Sequence, residues 1–332
     1  MPGRKDAVDR DLRFRSRLLS LSKGPLPLVW PTSKRDLRQG VHKAMRVMRP
    51  PKNVAAQDVM VPREDGTQLR LLVLRAAGGA HGSTTPRDAV GVLWIHGGGY
   101  VTGAPEMAYM GMPPHMLRER PCVVVCPEYR LAGQMPFPGG LEDCHLALEW
   151  LNDNAHKLGV RADQLFVGGE SAGGGLTAAL CLYERDLMRS GRGGVRIACQ
   201  MPLYPMLDDR PTSSSVDNSA PVWDTRLNQQ AWELYLKGMD REALTPYAAP
   251  ARETNFEGLP PAISFVDTLE PFLDETVAYM GALRDAGVPT DLRVFRGCYH
   301  AFDMLGDSRK GREAREFFLR RFAHACDNYT SE

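Results

Sequence analysis

The residues of this chain best suited to chemistry are a serine and its neighbours, Gly169-Glu170-Ser171-Ala172-Gly173. An apolar, strand-like run at 164–167 leads into them, and an Ala- and Leu-rich stretch at 174–189 follows with helical spacing. A strand that turns straight into a helix strains the residue at the corner, and glycines two places before and after it leave room for the turn. The corner lifts the hydroxyl clear of the sheet edge and aims the N–H groups behind it at a developing oxyanion. Attack by the Ser171 hydroxyl on an acyl carbon is the chemistry this predicts. G-x-S-x-G also occurs in glycine-rich loops, and this chain holds 32 glycines, so the expectation rests on the strand before and the helix after.

A serine hydroxyl is a weak nucleophile and needs an imidazole to take its proton. His300 lies past a predicted strand at 291–295 and the loop Arg296-Gly297-Cys298-Tyr299, which places it as that base. The carboxylate that orients the imidazole should stand just past the predicted strand at 262–266. Asp267, Glu270 and Asp274 all qualify there, and spacing leaves the three open. A further strand, at 89–95, ends in His96-Gly97-Gly98-Gly99-Tyr100. Consecutive glycines let backbone N–H groups face a substrate, so Gly98 and Gly99 are expected as oxyanion donors, with Ala172 as a third. A phosphate cradle would call for G-x-G-x-x-G or GK[ST], and neither is present. His96 is read as a loop residue bonded to backbone.

Placing these groups side by side requires a sheet. Strand-like runs at 89–95, 122–126, 164–167, 196–201, 262–266 and 291–295 alternate with helical patterns at 107–118, 141–157, 174–189, 275–286 and 311–325. That alternation predicts an α/β fold with a mainly parallel sheet covered on both faces and its chemistry at the carboxyl ends of the strands. Residues 57–61 and 68–75, joined by Arg63-Glu64-Asp65-Gly66, read as a β-hairpin, and 78–88 as a loop. Helical spacing in residues 1 to 50 suggests helices that pack on something else, and the alternation breaks again at 207–240, a candidate lid containing Trp223, Trp232 and Tyr235. Those three aromatics are read chiefly as lid core, with a pocket wall as the rival.

Composition narrows the function further. Lys plus Arg (41) balance Asp plus Glu (40), so no global field favours nucleic acid or an anionic membrane. No apolar run approaches a membrane span, and the charged N-terminus lacks an apolar signal region. Seven scattered cysteines without C-x-x-C spacing are expected as buried thiols in a reducing cytoplasm. No metal-ligand cluster is visible, and the expected chemistry calls for no cofactor.

Taken together, HGGGY at 96–100, PEYRLA at 127–132, PFPGGLEDC at 136–144, GESAGG at 169–174, PLYPMLDDR at 202–210, YAAPAR at 247–252 and AGVPTDLRVFRGCYHAF at 286–302 resemble the hormone-sensitive lipase-like branch of the α/β-hydrolase fold, a family of carboxylesterases. The resemblance runs from about 90 to 302. It implies Ser171 as nucleophile, His300 as base, Gly98, Gly99 and Ala172 as oxyanion donors, and a helical cap built from residues 1–50 and the 207–240 insertion over a catalytic domain at 51–332. The family's acid falls on Glu270 in Leu269-Glu270-Pro271, with Asp267 as rival, while Asp274 is read as capping a helix that starts at Glu275. Two departures stand out: Glu170 replaces the usual Asp before the serine, keeping the charge, and Gly133-Gln134 replaces a Pro-Glu pair in a structural loop. The implied activity is hydrolysis of short- to medium-chain carboxylic esters of small molecules through an acyl-enzyme. Other acyl bonds, or a non-catalytic small-ligand receptor on the same fold, are the alternatives. A homodimer is left open.

Overall fold

The structure, a computed structural model, describes residues 8–21, 45–78 and 88–331. Most of the N-terminal segment expected in the cap, and most of the 78–88 loop, lie outside the described residues.

Eight strands form one sheet in the order β1-β2-β4-β3-β5-β6-β7-β8. Strands β1 (Val54–Pro62) and β2 (Gln68–Ala76) make the expected hairpin, and β2 also runs antiparallel to β4 (Cys122–Pro127). From β3 (Ala89–Ile95) onward every pairing is parallel: β3 with β4 and with β5 (Val160–Glu170), then β6 (Cys199–Leu203), β7 (Ala262–Asp267) and β8 (Thr290–Phe295). The chain steps from β3 to β4 on one side and returns to β5 on the other. Such a reversal opens a crevice at the carboxyl ends of the two strands it separates, here the ends that carry the glycine loop and Ser171.

Both faces of the sheet are covered, which is why β3 and β4 are buried along their whole length. The two-residue strand period divides β3: Leu93 and Ile95 join the core under α3 (Gly139–Asp153) and α5 (Ala172–Arg189), whereas Val92 and Trp94 join the core under α8 (Arg309–Asn328). The one-turn α4 (Ala155–Leu158) ends at Gly159, whose φ of 73° suits a left-handed helix cap.

Some element boundaries depart from expectation. The helix expected at 107–118 is a 3₁₀ turn, Pro105–Tyr109, followed by α2 (Pro113–Glu119), because Pro113-Pro114 cannot continue a preceding helix but can open a new one. The helix expected at 141–157 starts earlier and is interrupted at Asn154. The strand expected at 196–201 is displaced to Cys199–Leu203. Helix α7 (Leu273–Asp285) begins before the expected 275, so Asp274 lies in its first turn and Phe272 at its cap position. Asp274 instead accepts the Ser214 N–H at 2.7 Å, a bond between α7 and the insertion.

Between β6 and β7 the chain makes its long excursion, which holds α6 (Thr225–Tyr235), started by an Asp224 carboxylate that accepts the Leu227 N–H. At the other end of the chain α1 (Arg13–Leu21) sits beside the loop before His300: the Asp9 N–H bonds the Gly297 carbonyl at 2.8 Å, and Arg15 donates to the Asp307 carbonyl at 2.5 Å. All seven cysteines are free thiols, six of them buried and Cys326 partly so. No described helix is long and apolar enough to cross a membrane.

Candidate active site

Ser171 is the single residue between β5 and α5, with φ 58° and ψ −120°, a conformation that costs energy for any residue with a Cβ. Neighbouring backbone holds it there. Its N–H donates to the Leu203 carbonyl and its own carbonyl accepts from Met206 and Gly175, all at 3.0 Å. A Cβ on either Gly169 or Gly173 would run into the Ile95 carbonyl, so the two flanking glycines are dictated by how closely β3 passes the corner.

The glycine loop lies against this corner. A Cβ on Gly97 would sit 3.2 Å from the Ser171 Cβ, and Gly98 and Gly99 have φ of 117° and 60°, which glycine adopts without strain. His96 fixes the base of the loop as expected: its Nδ1 lies 2.8 Å from the Gly97 carbonyl, its ring stacks on Tyr129 at 4.3 Å, and the Tyr129 hydroxyl donates to its carbonyl. Ala172 opens α5, so its N–H belongs to the electropositive end of an 18-residue helix. The loop and that helix end therefore face one another across Ser171.

His300 Nε2 stands 3.0 Å from Ser171 Oγ, and His300 Nδ1 stands 2.5 Å from Glu270 Oε2. Three groups separated by up to 129 positions in the chain thus form one hydrogen-bonded line, and all three are buried. Burial disfavours charge on both the imidazole and the carboxyl: it lowers His300 to about 3 and raises Glu270 well above its usual range. His300 therefore rests neutral, with Nε2 able to accept the serine proton. Asp267 is also brought to the site and is fully buried at the end of β7, but it has no side-chain partner; burial and the nearby Glu270 push its carboxyl well up. Asp274 is on α7, bonded to Ser214 rather than to His300.

Glu170 is the point at which the charge expectation fails. Its carboxyl is buried, takes the Trp94 Nε1–H at 3.0 Å on both oxygens, and fills the space beside Gly111. Burial raises it to about 8, so near neutrality it is mostly protonated rather than a retained charge.

The three aromatics of the insertion divide in their roles. Trp232 and Tyr235 pack with Tyr100, the latter stacked at 4.0 Å, as core of the excursion. Trp223 instead reaches the site: its ring lies 6.3 Å from that of His300, and a Cβ on Gly99 would strike it. Phe272 and Tyr204 place their rings 5.3 and 5.1 Å from the imidazole, edge to face. Sequence reasoning did not select either ring, nor the buried Asp303 that bonds the Tyr204 hydroxyl at 3.1 Å. The segments of Tyr204 and Asp303, PLYP and HAFD, were visible; the direction of each side chain was not.

Known proteins share this fold. A family model described as alpha/beta hydrolase fold matches residues 92–304, well over half of the chain. Esterase LipI of Mycobacterium tuberculosis is 30% identical over 217 residues, 65% of this chain and 66% of that protein. The chain thus spans just under two thirds of that relative's length. Among solved structures, a bacterial heroin esterase superposes with a TM-score of 0.82 at 28% identity, covering 98% of this chain and 99% of the other. Esterase LipW from Mycobacterium marinum gives 0.79 at 27% identity, covering 97% and 96%. The chain belongs to the α/β-hydrolase family that includes the hormone-sensitive lipase-like esterases.

Proposed function

We propose that this protein is a serine carboxylesterase acting on small, water-soluble esters of short- to medium-chain acids, in the cytoplasm. The observation that carries the reading is the line Ser171 Oγ, His300 Nε2 and Nδ1, Glu270 Oε2, at 3.0 and 2.5 Å, beside the glycine loop. The Ser171 hydroxyl attacks the ester carbonyl while its proton passes to His300 Nε2. Glu270 holds the Nδ1–H and stabilises the imidazolium, and the Gly98, Gly99 and Ala172 N–H groups receive the oxyanion. Imidazolium then protonates the departing alcohol oxygen, and water repeats the sequence on the acyl-enzyme with His300 again the base. The names of the relatives, esterases and a heroin esterase, support an ester as the bond broken.

Trp223 supports the short acyl preference, because its indole covers Gly99 on one side of the nucleophile and lies near His300. Balanced charge and free, mostly buried thiols fit a cytoplasmic enzyme. The cap is assigned to residues 1–50, of which α1 packs beside the His300 loop, and to the excursion at about 207–240; the rest of 51–332 is the catalytic domain. Hydrolysis of a p-nitrophenyl ester series tests the reading directly. Activity should peak on short acyl chains and a fluorophosphonate should label Ser171; a maximum on long chains would refute the short-ester preference, and no label on Ser171 would favour ligand binding without catalysis.

The pH profile gives a second check. Only the neutral imidazole can accept a proton, and burial makes His300 hold protons less tightly than a free imidazole. The acid limb of kcat/KM is therefore expected below the ordinary imidazole value of 6.5. A limb above that value would mean that the ion-pairing effect of a charged Glu270 outweighs burial.

A further inference from the structure

Resting on the esterase reading, we propose that Tyr204 and Asp303 form a positioning pair that ties the His300 loop to the nucleophile's strand and stabilises the imidazolium as Ser171 loses its proton. Tyr204 directly follows β6, whose last residue, Leu203, accepts the Ser171 N–H. The tyrosine has a φ of 34°, unusual for an aromatic residue, and its own N–H is held by the Phe265 carbonyl at 2.9 Å. That strained backbone sends the ring under His300, edge to face at 5.1 Å and 78°. The ring's hydroxyl continues past the imidazole and donates to Asp303 Oδ1 at 3.1 Å. Asp303 lies three residues after His300, so one hydrogen bond fastens the loop carrying the base to the strand that fixes the nucleophile. Strain retained at a buried, hydrogen-bonded residue next to reacting groups is a sign of a constrained functional geometry.

The pair also has an electrostatic side. Proton transfer leaves His300 cationic in a site from which water is largely excluded, where a nearby negative charge acts strongly. Glu270 meets the imidazole from the loop after β7, while Asp267 at the end of that strand and Glu170 at the end of β5 lie close enough to Asp303 for its charge to act on them. Burial raises all three carboxyls. Arg315 of α8 is the cation on the far side, donating to the Asp303 carbonyl at 3.2 Å. Asp303 differs from its neighbours: burial raises it only to about 6, offset by its own backbone N–H, the Tyr204 hydroxyl, His300 and Arg315. Its charged form is the least disfavoured of these carboxyls, and it draws the His300 proton affinity upward against burial, adding to what Glu270 supplies at Nδ1. Tyr204 supplies a donor to that carboxylate, so losing the hydroxyl favours the uncharged acid and removes the charge from the transition state.

Kinetics against pH on p-nitrophenyl acetate, with wild type, Tyr204→Phe, Asp303→Asn and the double variant, test the pair. Each single variant is expected to lower kcat by about tenfold with KM within about twofold, the equivalent of one pKa unit of lost imidazolium stabilisation. The acid limb should move to lower pH in Asp303→Asn, which a merely structural defect would not cause. The double variant should be no slower than Asp303→Asn, because both substitutions break one device. Tyr204→Phe keeps the ring, so it is decisive even where Asp303→Asn fails to fold: a rate within twofold of wild type and an unmoved limb overturn the proposal. Fully multiplicative losses in a folded double variant overturn it as well. A wild type that neither hydrolyses the ester nor takes a fluorophosphonate on Ser171 overturns the esterase reading and the pair with it; an active, labelled wild type with indifferent variants overturns the pair alone.

Discussion

Ser171→Ala is expected to lower kcat for p-nitrophenyl acetate by about 10⁴-fold or more while leaving the melting temperature nearly unchanged. The two halves of this expectation come from different parts of the same corner. Removing Oγ removes the proposed nucleophile, and the 3.0 Å bond to His300 Nε2 goes with it. What remains is whatever the glycine loop and the pocket contribute to direct attack by water, typically a few powers of ten over the uncatalysed reaction. The fold has little stake in the hydroxyl, because the corner is held by backbone bonds from Leu203, Met206 and Gly175, and alanine meets the same φ of 58° that serine already tolerates. His300→Ala should cost a similar factor, and combining the two should cost hardly more than either, since serine and base act as one unit. Residual turnover within tenfold of wild type in Ser171→Ala, measured on protein free of contaminating esterase, would remove the serine from the reaction.

The order of sheet and helices was legible because it depends on local pattern. The apolar run at 89–95, alternating with helical patterns, reads as a strand buried on both faces, and the glycines around Ser171, set between a strand and a helix, read as a corner with little room for side chains. Boundaries were less legible where one residue type serves two purposes: Pro113-Pro114 broke a helix the periodicity would have carried through, and Asp274, a residue fit to cap a helix, is taken by Ser214 from the distant excursion. Charge was the least legible of all. Glu170 reads as an acid from its letter, but the indole of Trp94 and the close approach of Gly111 bury it, and burial makes it mostly neutral. Tyr204 and Asp303 escaped for a related reason: 99 positions separate them, and only the fold brings the hydroxyl to the carboxylate.

Glu270 and Asp267 lie three residues apart and are both fully buried, and the reach of each side chain favours Glu270 as the proposed acid. Glu270→Ala is expected to lower kcat by about 10³- to 10⁴-fold, whereas Asp267→Ala should cost less than about tenfold. After β7 ends at Asp267 the chain turns through Thr268 and Leu269, whose N–H bonds the Cys298 carbonyl, and this brings Glu270 level with the loop of the base. From there the longer glutamate side chain puts Oε2 2.5 Å from Nδ1, where its carboxylate would accept an Nδ1–H and leave Nε2 free for serine. Asp267 is fixed to the strand, and neither of its oxygens meets a side-chain donor. Burial and the nearby Glu270 push its carboxyl well up, which disfavours its charged form, so its removal is expected to cost the imidazolium little. Glu270→Gln separates orientation from charge: the amide can still reach Nδ1, but it cannot stabilise the cation, so kcat should fall nearly as far as in Glu270→Ala. A larger loss in Asp267→Ala than in Glu270→Ala, with both proteins folded by circular dichroism, would transfer the acid's role to Asp267 and require the Glu270 side chain to swing away from His300 during turnover.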